Sequence, residues 1–264
     1  MMFELLIVLV VLGGIVGVLA GLLGIGGGLI IVPSLLYLLP FFDIPTEIAM
    51  HMALATSLAC VVFTSSSSAF NHIRATNFDT CVIKSLLPGV IIGGFAGSFV
   101  AEWVPTEYLP KIFGTIVLSL ALQMFFSVKS GRNRTMPSRF ITLGAGGIIG
   151  TISSLAGIGG GSLMVPFLSR HSVEMRKAIG SSSICGAVLA LSGMLGFILH
   201  GTNSDTLPPY SVGFVYLPAF FAIASCSVLT TRWGVKLAST LPAPVLKKFF
   251  ACLLLLIAAR TLIS

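Results

Sequence analysis

Charge is what this chain lacks. Only 9% of its 264 residues are Asp, Glu, Lys or Arg, and only eight are acidic, whereas a soluble domain carries about 25% charged residues. Hydrophobic residues make up 56%, which excludes an ordinary soluble fold and points to a polytopic membrane protein. Long polar segments are missing as well. Apolar runs fall roughly at 5–42, 48–70, 85–101, 112–128, 140–169, 178–199, 212–231 and 246–263, most of them near the 20 or so residues that cross a bilayer core of about 30 Å. The connections leave no room for a soluble domain, and no G-x-x-x-x-G-K-[ST] loop is present, so a nucleotide-driven pump would need its motor on another chain. Neither a G-x-S-x-G elbow nor an H-E-x-x-H pair occurs, which leaves an enzyme reading without a recognisable nucleophile or zinc site. The five cysteines lie far apart with no C-x-x-C pair, arguing against a disulfide or metal framework. Residues 5–23 have no basic segment before them and read as mature structure rather than a secretory leader.

Against that background one pattern occurs twice. Gly24, Gly26, Gly27, Gly28 and Pro33 return as Gly157, Gly159, Gly160, Gly161 and Pro166, with the shared string G-I-G-G-G-x-x-x-V-P. Each copy interrupts a long uncharged stretch, residues 5–42 and 140–169. Helix-breaking residues repeated inside a membrane mark the binding site of many transporters.

The loop charges set the topology. If all eight runs crossed once, Lys111, Arg170, Arg176, Lys177, Arg232, Lys236, Lys247 and Lys248 would lie outside, against Arg74, Lys84, Lys129, Arg132, Arg134 and Arg139 inside, in conflict with the positive-inside rule. If the first and fifth runs instead fold back at their Gly-Pro motifs, Lys111 alone of these remains outside. The outer loops then carry Asp43, Glu47, Glu102, Glu107 and Asp205. The net charge of +7 is explained by the inner loops and needs no nucleic acid. The expected architecture is therefore an all-α polytopic membrane protein of two inverted repeats. Each repeat has a Gly/Pro-broken re-entrant helical hairpin plus three transmembrane helices, with residues 1–128 and 140–264 as the repeats and 129–139 as a cytoplasmic linker. The competing reading is a single kinked helix at each motif. Weaker correspondences extend the repeat: Trp103 with Trp233, Lys111 with Lys248, and the Ala55–Leu58 segment with Gly180–Ser183.

A helix broken within the membrane exposes N–H groups at the start of its second half, where the helix dipole adds positive charge. That is an anion site, and glycine lets a ligand approach the backbone. Candidate substrate residues are thus Gly24, Gly26, Gly27 and Gly28 with Gly157, Gly159, Gly160 and Gly161. To these are added the hydroxyls of Thr56, Ser57, Ser181 and Ser182, and Arg260 with its repeat counterpart Gln123. Each has a structural alternative: close helix packing for the glycines, bonding to the same helix for the hydroxyls, and snorkelling to the headgroups for Arg260. The four histidines are expected at the interfaces in water, with His51 or His72 as a proton relay the alternative.

The paired G-x-G-G-G-x-x-x-V-P strings, each followed by a helix with a T-S or S-S pair, resemble the sulfite exporter TauE/SafE family, also called the toluene-sulfonate uptake permease family. The resemblance covers nearly the whole chain. It implies a cytoplasmic-membrane transporter of small sulfur-containing anions such as sulfite or organosulfonates, with no cofactor. Export by alternating access is the expectation; uptake and a passive anion channel are the alternatives, with protons a candidate coupling ion. The Ser181–Ser183 triplet stands where T-S is more usual in the family.

Overall fold

The structure is a computed structural model that describes residues 2–23, 27–125, 135–202, 207–238 and 243–263. It is helical almost throughout. The first half contains α1 (Met2–Leu23), α2 (Gly28–Leu38) with a 3-10 turn at Leu39–Phe42, α3 (Thr46–Arg74), α4 (Thr80–Trp103) and α5 (Leu109–Phe125). The second contains α6 (Arg139–Leu155), α7 (Gly161–Arg170), α8 (Met175–Gly201), α9 (Leu217–Ala238) and α10 (Ala243–Ile263). Among the described residues α3, α4 and α8 are long and apolar enough to cross a membrane.

Both interruptions fall on the glycines. Helix α6 closes with two backbone bonds, Gly157 N–H to Ser154 O at 3.1 Å and Ile158 N–H to Ser153 O at 2.9 Å, the reciprocal pair that ends a helix through a left-handed residue. Gly157 supplies that residue, with φ +61°. The next helix opens on another: Gly160 (φ 70°) caps α7, and Gly27 (φ 75°) caps α2 in the first copy. The legs are unequal, since α1 has 22 residues against 11 for α2. Pro33 and Pro166 each stand inside the second leg, six residues after the cap, where the missing N–H removes a helical bond to Leu29 O and Ser162 O.

The second leg folds back. Arg139 and Thr142, at the start of α6, line one cavity of about 460 Å³ together with His171, Glu174 and Lys177, just beyond the end of α7, and with Asp79 and Ser85 at the start of α4. The chain thus leaves α7 at the end of the molecule where it entered α6. In the first copy the 3-10 turn after α2 packs on α1, the same reversal. Of the two arrangements weighed from the sequence, simple alternation would put the 171–177 loop and residue 139 on opposite faces. The structure puts them on one. Arg74, Lys84, Arg170 and Arg176 belong to the same end by their places on α3, α4, α7 and α8, while Asp43, Glu47 and Glu102 belong to the other.

Packing follows the repeat. Helix α1 packs along α9 and its counterpart α6 along α4, while α3 packs on α8 and α5 on α10, so exchanging the halves maps these contacts onto themselves. Glycines permit close crossings at matching positions. A Cβ on Gly13 would lie 2.7 Å from Ile223 O, and one on Gly146 the same distance from Leu86 O. Trp103 and Trp233 are 84% and 72% exposed, as side chains anchoring in headgroups would be.

A two-stranded hairpin was not foreseen in the sequence. Strand β1 (Ser211–Val212) pairs antiparallel with β2 (Val215–Tyr216), turning at Gly213 with φ +53°, and buries Phe214, Val215 and Tyr216 against α3 and α8.

Candidate functional site

The two glycine motifs meet. Gly28, the first residue of α2, lies so close to Gly157 that a Cβ would collide with the Gly157 carbonyl oxygen. The Ser57 hydroxyl donates to that same oxygen at 2.8 Å and lies 3.5 Å from Gly28 O. On the other side Gly159 packs against Val61 and Ser65 of α3 and against Gly186 of α8, where neither glycine could carry a side chain. Ser57 and Gly186 are near the midpoints of the 29-residue α3 and the 27-residue α8, which puts the junction deep within the helical stack. Gly24 and Gly26 lie outside the described residues.

The hydroxyls proposed from sequence divide by task. Thr56 Oγ1 accepts the N–H of Tyr216 at 3.0 Å, and Ser181 Oγ accepts the N–H of Asp79 at 2.9 Å. Tyr216 immediately precedes α9 and Asp79 immediately precedes α4, so the pair repeats one interaction: a helix-borne hydroxyl tethers the entry of the fourth helix of the opposite half. An oxygen that accepts one bond retains its own proton for donation. Ser57 bridges the two motifs, whereas its counterpart Ser182 donates to Ile179 O of its own helix at 2.9 Å.

Arg260 lies elsewhere. It is exposed and donates through Nε to the Tyr37 hydroxyl at 2.5 Å, with its guanidinium 4.1 Å from the Tyr37 ring centre. Gln123 is not beside it. Gly114 of α5 touches Leu262 and Thr261 of α10, so Arg260 neighbours the first turns of α5, and Gln123 is nine residues, about 13 Å, further along that helix. The structure therefore brings Gly28, Gly157 and Ser57 together, with Thr56 next to Ser57 on α3, but groups neither Arg260 nor Gln123 with them.

The histidines are less solvated than the sequence suggests, and His51 departs furthest from an interfacial ring. His51 is only 6% exposed; its Nε2 lies 3.2 Å from Ala101 O and 3.9 Å from Glu102 Oε2, and its ring stacks on Phe214 at 5.1 Å. The β1–β2 hairpin is what covers it. His72 and His200 are partly buried, each with a ring nitrogen that has no hydrogen-bond partner, and His171 is half-buried with Nδ1 2.8 Å from Phe167 O.

Three hydroxyls missed in the sequence stand out at the second motif. Ser153, Ser154 and Ser162 have buried Oγ atoms without a hydrogen-bond partner, although helical serines elsewhere, such as Ser85, Ser98, Ser192 and Ser227, bond to carbonyls of their own helix. A buried hydroxyl left unpaired costs about 1–3 kcal/mol. The available signal was their place: they flank Gly157–Gly161 on both sides.

The profile of the sulfite exporter TauE/SafE family matches residues 9–261. A probable membrane transporter protein of Haemophilus influenzae is 40% identical over 259 residues, covering 97% of this chain and 98% of that protein. Another, from Methanocaldococcus jannaschii, is 27% identical over 239 residues, covering 88% and 86% respectively. A third, from Bacillus subtilis, is 29% identical over 228 residues, covering 79% and 83%. No solved structure matches the chain.

Proposed function

Because the chain belongs to the sulfite exporter TauE/SafE family of membrane transporters, we propose that it is a secondary carrier exporting small sulfur-containing anions, sulfite or sulfonates, across the cytoplasmic membrane by alternating access. The observation that carries this reading is the contact of the two motifs, Gly28 against Gly157 with Ser57 bridging. The start of α2 meets the break between α6 and α7, and the N–H groups freed at such breaks are where carriers hold anions. The repeats are read as inverted across the membrane, with the Arg139 end inside and both termini outside. A passive anion pore fits less well, since the motifs touch backbone to backbone and a pore would hold them apart. Among the described buried side chains no carboxylate occurs, so a coupling proton is assigned to His51, with Glu102 at 3.9 Å.

Counterflow in proteoliposomes tests the carrier. Liposomes loaded with unlabelled sulfite or methanesulfonate accumulate the labelled anion transiently and saturably, and an imposed pH gradient drives accumulation in the wild type but not in His51→Gln. Absence of exchange with any sulfur oxyanion removes the reading; flux that never saturates favours the pore.

A further inference from the structure

The two copies of the motif share a left-handed glycine cap, Gly27 and Gly160, but not their polarity. In the first copy Ala20 faces the cap of the second leg, its Cβ 3.4 Å from where a Cβ on Gly27 would lie; in the second copy Ser153 takes that place, its Oγ 3.3 Å from the corresponding point on Gly160. Ser162, in the first turn of α7, stands where α2 has the buried Leu29. Ser153 is fully buried and its hydroxyl has no partner, even though the Ile149 carbonyl one turn back is the usual acceptor for a helical serine. The Ser162 hydroxyl is likewise unpaired. Two unsatisfied donors thus flank the capping glycine of a ten-residue helix whose first N–H groups have no acceptor within the helix.

Nothing charged accompanies them. Residues 140–169 contain no Asp, Glu, Lys or Arg, and neither do the central stretches 48–70, 85–101 and 178–199 of the helices packed around the junction. A ligand there meets hydroxyls, backbone N–H groups and a helix dipole equivalent to about half a positive charge. The cost of desolvating an ion grows with the square of its charge, so a dianion faces about four times the penalty of a monoanion of the same size, whereas its attraction to the fixed N–H groups and dipole only about doubles.

Resting on the anion-carrier reading, we infer that the binding site is one-sided: Ser153, Ser162 and the first N–H groups of α7 hold the ligand, and that ligand is a singly charged oxyanion. The first motif closes over it as an apolar partner.

Thermal shift and calorimetric titration of the purified full-length protein test the site with three probes: methanesulfonate, which is always a monoanion; sulfate, a dianion; and sulfite, which loses its last proton as pH rises. Methanesulfonate is expected to bind at all pH values, sulfate to give no shift at equal concentration, and sulfite to weaken as it becomes a dianion. Ser153→Ala and Ser162→Ala each weaken methanesulfonate about tenfold, the scale of one lost hydrogen bond to a charged group, without lowering the melting temperature of the ligand-free protein. Ser192→Ala, whose hydroxyl is satisfied by Leu189 O at 2.8 Å, leaves the affinity unchanged. Unaltered binding in both Ser153→Ala and Ser162→Ala overturns the one-sided site while leaving the carrier standing; sulfate binding as tightly as methanesulfonate overturns the charge class. No binding of any probe by the wild type overturns the sulfur-anion reading and this site with it.

Discussion

At the scale of single residues, the glycines of the motif carry different loads, and substitutions separate them. A methyl on Gly28 meets a backbone oxygen, that of Gly157, which cannot move without shifting the whole α6–α7 break. A methyl on Gly160 meets the mobile Met164 Cε at 2.7 Å, but there the backbone itself is left-handed. Gly28→Ala is therefore expected to force the two motifs apart and lower stability by about 1–3 kcal/mol, as overpacking does. Gly160→Ala should cost about 1–2 kcal/mol from φ alone; thermal unfolding in detergent measures both. A bulky Val at either place would disturb folding as well as binding, which is why serine variants are the cleaner probe of ligand contact. Thr56 and Ser181 make a second pair. Thr56→Val and Ser181→Ala each strand a backbone N–H, at Tyr216 and Asp79, and each should lose about 1–3 kcal/mol. Ser181→Thr, which keeps the acceptor, should recover most of the loss, and failure of that rescue would argue against the tether.

At the scale of elements, hydropathy was a good guide because each leg buries apolar side chains in lipid or neighbours, and charge interrupts only at the ends. The eight apolar runs correspond to α3, α4, α5, α8, α9 and α10 plus two broken pairs, and the breaks fall at Gly27 and Gly160 as the motif required. What the runs could not show was where each pair bends, because apolarity is the same along both legs. Nor could they show the β1–β2 hairpin, two residues per strand, too short for any alternating pattern. The burial of His51 is hidden with it, since its place near a helix end suggests water while Phe214 shields it. Phe214 is 3% exposed, so Phe214→Ala should cost about 3–5 kcal/mol and make His51 markedly more reactive to diethyl pyrocarbonate, read by mass spectrometry of the His51 peptide. Unchanged reactivity would mean that the hairpin is not the cover.

At the scale of the whole molecule, the decisive quantity is which loops share a face. The loop charges already favour the hairpin, because the same cations satisfy the positive-inside rule with a fold-back at each motif and violate it with a kink. The structure groups Arg139 with Lys177 around one cavity, and it sets Asp43 beyond the 3-10 turn that packs back on α1. The proposed orientation, with the Arg139 face inside, rests on the positive-inside rule and is open to a direct test. Asp43 and Glu174 are both exposed and uninvolved in the motif contacts, which makes them suitable reporters. In a background without the five native cysteines, of which Cys81 and Cys252 are exposed, Asp43→Cys should react with a membrane-impermeant maleimide on intact cells. Glu174→Cys should react only after permeabilisation. A kinked single crossing at the second motif would reverse the result at position 174 while leaving position 43 unchanged, so labelling of Glu174→Cys from outside would refute the fold-back, and with it the proposed inversion of the second repeat.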